Sequence, residues 1–147
     1  EGFDVPSRAE ERCMTYLALA HRAKAMMWFS YYPSLTDTWA EVKQLCTELR
    51  QLAPFYCMPS TEPALGNSNA NIHTRLIEIG GSGVIIAVNV DGGAQTANFT
   101  IPSPAPTSLT LPFEGGATLP VTVGAFSASF DGLGVHIYQW GPTPVIP

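Results

Sequence analysis

The sequence predicts an α/β segment followed by an all-β domain, and three observations carry that prediction. Charges and helix-favouring residues concentrate in residues 1–56, whereas residues 57–147 are rich in Gly, Pro, Thr, Ser and Val. Within the first part a wholly apolar run lies between two stripes of helical period. Within the second, short apolar segments alternate loosely between Gly, Pro and Asn turn signals. The organisation that follows is helix, strand and helix over 1–56, a linker over 57–71, and an antiparallel β-sandwich over 72–147. At 147 residues the chain is long enough to bury a core of ordinary size.

Taken in order, Glu1 to Pro6 has no period and ends in proline, which suits a loop. Ser7-Arg8-Ala9-Glu10 reads as a capping box, the Ser7 hydroxyl accepting from the Glu10 amide while the Glu10 carboxylate reaches back to the Ser7 amide. The helix that starts there has Cys13, Met14, Leu17, Ala18 and Ala20 on one stripe, and His21-Arg22 bring positive charge to the negative end of its dipole. Residues Ala25 to Tyr32 are then apolar or aromatic except Ser30, the signature of a strand covered on both faces, as in a parallel sheet. After a polar loop, Asp37 or Thr38 caps a second helix, with Thr38-x-x-Glu41 as another box. Trp39, Val42, Leu45, Cys46, Leu49 and Leu52 line its apolar face until Pro54 stops it.

A parallel strand needs parallel neighbours, and residues 1–56 contain no second run of this kind. Its partners are expected in sequence upstream, which makes the chain a portion of a longer protein. From Ile72 the period changes. Ile72 to Ile79, Val84 to Val90, Gln95 to Ile101, Ser108 to Phe113, Thr118 to Val123, Phe126 to Phe130 and Val135 to Trp140 give seven short strands, with turns at Gly80-Gly81-Ser82-Gly83 and Asp91-Gly92-Gly93. Asn89 is expected to stabilise the second of those turns.

Composition excludes several functions. A net charge of −5 with two lysines, Lys24 and Lys43, provides no clustered basic face for nucleic acid. No run of eighteen apolar residues exists, so no membrane-spanning helix is expected. The N-terminus lacks a signal peptide's basic start and apolar run, as a processed or truncated chain also would. Three cysteines give no framework: a Cys46–Cys57 disulfide is one pairing open to them, and the odd count with the lone Cys13 favours buried thiols. His21 at a helix end reads as a capping or packing residue. His73 and His136 have no Cys or His neighbour at metal-ligand spacing, so no metal site is assigned. No Ser-His-Asp pattern and no phosphate loop is present, since the Gly80–Gly83 turn joins two strands rather than a strand to a helix, and no cofactor is implied. Asn98-Phe99-Thr100 is a glycosylation sequon at Asn98, which points toward an extracellular or secreted origin.

From Arg12 to Tyr32 the pattern R-x-x-x-Y-L-A-L-A-H-x-A-K, entering an apolar run that ends W-F-S-Y-Y, resembles the last strand and helices of the (β/α)8 barrel in retaining glycoside hydrolases of the β-galactosidase and cellulase superfamily. Val84-Ile85-Ile86-Ala87-Val88-Asn89 and the closing Gly134 to Trp140 are similar to the β-sandwich that such enzymes carry after the barrel. The family has small residues, often glycine, where this chain carries Arg22 and Ala25, so the resemblance implies a different helix-to-strand turn here.

What the resemblance implies is a terminal helix-strand-helix of a (β/α)8 barrel followed by an antiparallel sandwich. Two carboxylates at the carboxyl ends of the barrel strands would cleave the glycosidic bond. The acid/base would follow the fourth strand, absent here, and the nucleophile would end the seventh, where Glu1 is the only glutamate in reach. Aromatic rings at the end of the eighth strand stack on sugar faces, which nominates Trp28 first and Tyr31 or Tyr32 second; core packing is the competing role for these rings. The chain would be inactive alone. Its partners would be an oligo- or polysaccharide and the missing N-terminal barrel portion or a companion chain. The reading from another class is a noncatalytic structural or carbohydrate-binding β-sandwich module that self-assembles.

Overall fold

The computed structural model describes residues 5–28 and 36–146. Among them two helices and eight strands form three layers: a helical pair, a five-stranded sheet and a three-stranded sheet. The elements are α1 (Arg8–Ala20), α2 (Thr36–Cys57), β1 (Gly66–Asn67), β2 (Ile72–Ile79), β3 (Ser82–Asn89), β4 (Gln95–Thr100), β5 (Ser108–Leu111), β6 (Ala117–Pro120), β7 (Ala125–Phe130) and β8 (Val135–Trp140). The larger sheet has the order β2-β3-β8-β5-β6 and the smaller β1-β4-β7. Every ladder between these strands is antiparallel. All seven strands expected between residues 72 and 140 are present, each with its ends shifted by at most a few residues.

β3 organises the molecule. All eight of its residues are buried, and its alternation divides two cores. Val84, Ile86 and Val88 enter a cluster with Tyr16 and Leu19 of α1 and Leu45, Leu52 and Phe55 of α2. Ile85 and Ala87 enter the other, with Phe99, Phe126, Phe130 and Tyr138. Burying each large apolar side chain stabilises the fold by about 1.5–3 kcal/mol, so one strand anchors both layers. The continuous apolar run of a doubly covered strand therefore belongs, within the described residues, to Val84–Val88. Ala25–Trp28, expected to begin such a strand, enter no ladder with described residues, and residues 29–35 lie outside the described residues.

α1 begins as its sequence dictates. Ser7 Oγ accepts from the Glu10 amide at 3.3 Å and the Ser7 amide donates to Glu10 Oε2 at 2.8 Å, completing the capping box. Its buried stripe is rotated from the expected one: Met14 is 51% exposed, while Cys13, Tyr16 and Leu19 point inward. The shift follows Tyr16, whose large ring outweighs Met14 for the core and whose hydroxyl finds a carboxylate on α2.

The end of α1 explains how arginine replaces the glycine of the resembled pattern. Ala23 N donates to Ala18 O and Arg22 N to Leu19 O, both at 2.9 Å, which together form a Schellman motif. The motif requires its outer cap in the left-handed region, and Arg22 sits there at φ 70°. At this turn a non-glycine residue thus adopts a backbone conformation that glycine favours. Arg22 Nε then ion-pairs with Glu62 at 2.9 Å.

Two expectations for α2 are corrected. The helix continues through Pro54 to Cys57, because Phe55 and Tyr56 beyond the proline are buried and the Tyr56 hydroxyl donates to Leu49 O at 2.6 Å. Tertiary packing there outweighs the lost backbone bond. Cys46, placed on the apolar face by its spacing, is exposed, as is Cys57, and all three cysteines are free, only Cys13 being buried. Eleven residues along one helix separate Cys46 from Cys57 by roughly 16 Å, far beyond the ~7 Å limit for a disulfide.

The segment before β2 carries structure of its own. β1 pairs with the far end of β4, and Thr61 bridges Glu78. Asn89 fixes the next turn as expected: its Oδ1 accepts from Asp91 N at 3.0 Å, and its Nδ2 donates to Gly93 O at 2.9 Å and Asp131 O at 2.8 Å.

Candidate functional site

Of the residues nominated by sequence, Glu1, Tyr31 and Tyr32 lie outside the described residues. Trp28 is partly buried and packs against the helix-side core. Its indole Nε1 donates to Glu11 Oε1 at 2.5 Å, and Glu11 is itself 8% exposed. The polar edge of this ring is thereby committed to α1. Asn98 and Thr100 both face outward from β4, the central strand of the smaller sheet, and the intervening Phe99 is in the core.

The histidines form local contacts. His21 Nε2 and His73 Nδ1 are 2.7 Å apart and tie the end of α1 to β2. His136 Nδ1 lies 2.5 Å from Glu114 Oε1, and its Nε2 lies 3.1 Å from Ser129 O. No group of three His, Cys, Asp or Glu residues among the described residues is arranged to hold a metal ion.

The strongest electrostatic arrangement is one that residue spacing did not reveal. Glu41 and Glu48, at i and i+7 on α2, are each only 4% exposed. Arg8 Nε reaches Glu41 at 3.0 Å, and Arg12 Nη2 reaches Glu48 at 2.9 Å. The Tyr16 hydroxyl donates to Glu48 Oε2 at 2.5 Å, and the Arg12 guanidinium lies 5.1 Å from the Tyr16 ring centroid. Burial, then the Glu48 hydrogen bond and charge, drive the Tyr16 phenol far above its ordinary pKa. For Arg12 burial opposes the charged form, but the hydrogen bond and charge of Glu48 outweigh it and raise the pKa. Both groups hold their protons more tightly than the free side chains do, and the network ties α1 to α2.

A cleft lies elsewhere, at the β2–β3 turn. It encloses about 720 Å³ and contains no residue of the smaller sheet. Trp140, from the end of β8, lines it together with Gly80 and Gly81 and with Pro59, Pro104 and Pro106. Trp140 sits there because β3 carries glycine opposite it: a Cβ on Gly83 would lie 2.1 Å from Trp140 Cζ2. The turn itself needs both glycines, at φ 57° and 87°, as a two-residue hairpin of this hand requires. Ser60, Thr61, Glu78 and Ser82 supply the polar groups. The Glu78 carboxylate and the Ser60 hydroxyl make no hydrogen bond among the described residues. The sequence signal for this cleft was the lone Trp140 facing a glycine across a ladder, visible only once the register Gly83↔Trp140 is known.

No known family's sequence pattern matches the chain, and no curated protein aligns with it significantly. Solved structures do match. A GH30 endoxylanase from Clostridium papyrosolvens C71 superposes with a TM-score of 0.57 at 16% identity, covering 95% of this chain and 40% of that one. A glycoside hydrolase family 30 subfamily 8 xylanase from Clostridium acetobutylicum gives 0.59 at 14% identity, covering 95% and 40%. An Anoxybacillus α-amylase gives 0.53 at 14% identity, covering 92% and 34%. The chain therefore has the fold of a part of these glycoside hydrolases and spans at most 40% of their length.

Proposed function

We propose that this chain is the C-terminal portion of a retaining glycoside hydrolase, residues 1–56 ending a (β/α)8 barrel and residues 72–147 forming its appended sandwich. The observation that carries the reading is the superposition of nearly the whole chain, helices and sandwich together, on parts of enzymes whose names describe xylanases and an amylase. The match includes the helical pair as well as the β layers, as the resemblance at Arg12–Tyr32 implies.

In this reading the catalytic carboxylates stand at the ends of barrel strands that residues 5–146 do not include, and a retaining pair lies about 5–5.5 Å apart. Glu1 is the nominated nucleophile, and Trp28, Tyr31 and Tyr32 the nominated sugar-facing rings. The bond between Trp28 and Glu11 favours a positioning role for Trp28. The chain alone is inactive, and its partners are the remaining barrel portion and an oligo- or polysaccharide. A secreted origin with a glycan on Asn98 belongs to the same reading; no described helix is long and apolar enough to cross a membrane.

The test is hydrolysis of aryl-glycosides by the protein that contains this chain, with and without Glu1→Gln. Loss of turnover to background supports the assignment, and unchanged rates remove Glu1 from it. A noncatalytic carbohydrate-binding role is the second reading, favoured by the Trp140 cleft, whose lining includes no residue before Pro59.

A further inference from the structure

We infer that the Trp140 cleft, carried by the sandwich, is a binding site for a neutral oligosaccharide. The inference rests on the carbohydrate-active reading above but not on its catalytic half. Three features of the cleft define the ligand class.

The first is charge. The lining includes one carboxylate, Glu78, and no lysine, arginine or histidine. An anionic ligand would meet repulsion with no cation to offset it, which excludes phosphates and acidic sugars. The second is the combination of a partly exposed indole with hydroxyl groups in the lining. A pyranose presents C–H groups on its face and hydroxyls around its edge. A lining that combines an aromatic ring with the Ser60 hydroxyl and the Glu78 carboxylate meets both, the carboxylate accepting from two adjacent hydroxyls. The volume of about 720 Å³ lies inside the range of small-molecule sites, roughly 300–1,000 Å³.

The third feature is rigidity. Pro59, Pro104 and Pro106 fix backbone dihedrals in the lining, and Trp140 is held by its fit against the bare Cα of Gly83. Little conformational entropy remains to be lost on binding. Burial of the whole indole, by contrast, would have left no exposed ring.

Titration of the full chain with xylohexaose, cellohexaose and maltohexaose, followed by amide and indole N–H resonances, tests the inference. At least one of these is expected to produce saturable shifts at the Trp140 indole and the Gly80 and Gly81 amides. Trp140→Ala is expected to weaken that binding about tenfold, the scale of one lost aromatic stacking contact. Because Trp140 also packs on β3, Ser60→Arg serves as the second variant: Ser60 is exposed, so its replacement fills the cleft without disturbing the core, and it is expected to abolish the shifts.

Shifts confined to other surfaces, no shifts at 10 mM sugar (about ten times a Kd of 1 mM), or binding unchanged in both variants would overturn the proposal. A polyproline peptide that gives larger shifts than all three sugars would also overturn it, because it would make the cleft a peptide groove. Aryl-glycoside hydrolysis reads the other proposal separately. Turnover without shifts at Trp140 leaves the hydrolase reading standing and removes this site. Shifts at Trp140 without turnover by the protein that contains this chain support the site and remove the hydrolase.

Discussion

The two cores on either face of β3 are built by opposite means. The sandwich-side core is centred on a cluster of rings without ion pairs: Phe99 lies 4.9 Å from Phe126 and 6.3 Å from Phe130, and Phe126 lies 5.1 Å from Tyr138 between ring centroids. Its single phenol, Tyr138 Oη, is buried without a partner among the described residues. The helix-side core mixes aliphatic side chains with Tyr16, Phe55 and Tyr56 and is ionic at its margin, and both of its phenols are bonded, Tyr16 to Glu48 and Tyr56 to Leu49 O. The first is closed by strands contiguous in sequence, whereas the second joins α1 to strands some seventy residues later. A layer added across such a distance is specified by directional polar contacts as well as by apolar area.

The largest expected effect is on the sandwich-side core. Phe99 is fully buried at the junction of three rings, so Phe99→Ala is expected to cost about 3–5 kcal/mol through lost burial and a residual cavity. Urea unfolding followed by far-UV circular dichroism measures it. A loss below ~1 kcal/mol would mean that the smaller sheet collapses around the gap and that this core is not close-packed.

A matched pair of substitutions separates the two cores more sharply. Tyr16→Phe removes a hydrogen bond to an ionised, buried carboxylate and is expected to destabilise by about 1.5–3 kcal/mol. Tyr138→Phe removes a hydroxyl without a partner and is expected to raise stability by about 1 kcal/mol, since an unsatisfied buried polar group is a net cost. The same chemical change thus has opposite signs in the two layers. Equal signs in thermal unfolding would erase the distinction.

This contrast also explains what the sequence revealed. The strands of the sandwich were legible because Gly and Pro punctuation and apolar alternation are local signals, and β2 to β8 all fell where those signals placed them. β1 was not, because Gly66-Asn67 has no pattern of its own and becomes a strand only by pairing with β4. The burial of Glu41 and Glu48 was illegible for the same reason: their partners Arg8, Arg12 and Tyr16 lie on another helix. Pro54 read as a stop because the rule is local, while the burial of Phe55 is not. Sequence nominated Glu1, Trp28, Tyr31 and Tyr32, of which only Trp28 lies among the described residues, and it does not line the Trp140 cleft. Trp140 needed the ladder to reveal the glycine across from it.

The ion pair that joins α1 to the sandwich edge gives a pH signature. The Glu62 carboxyl is held below its ordinary pKa of 4.5 first by the hydrogen bond from Arg75; burial opposes this, and the charges of Arg75, Arg22 and Lys24 lower it further. A depressed folded-state pKa contributes stability that is present above the unfolded value. That stability is lost as pH falls from about 4.5 through the folded value. Wild-type protein is therefore expected to lose stability across that acidic window, and Glu62→Gln to lose less of it there while being less stable at pH 7. Superimposable stability–pH curves would show that Glu62 is not ion-paired in solution.

The smallest expected effect tests the junction itself. Arg22 occupies the left-handed cap of the Schellman motif at φ 70°, a conformation that costs a non-glycine residue about 1–2 kcal/mol. Glycine there would relieve the strain, but it would give back about 0.5–1 kcal/mol in unfolded-state entropy and lose an exposed ion pair to Glu62 worth at most ~1 kcal/mol. These contributions nearly cancel, so Arg22→Gly is expected to change stability by less than about 0.5 kcal/mol. Arg22→Val keeps the strain, adds β-branching to it and loses the ion pair, and is expected to cost roughly 1–2 kcal/mol more than glycine. If valine and glycine prove equally stable, the end of α1 does not hold the left-handed cap, and the route by which the helical layer is delivered onto β2 and β3 is a different one.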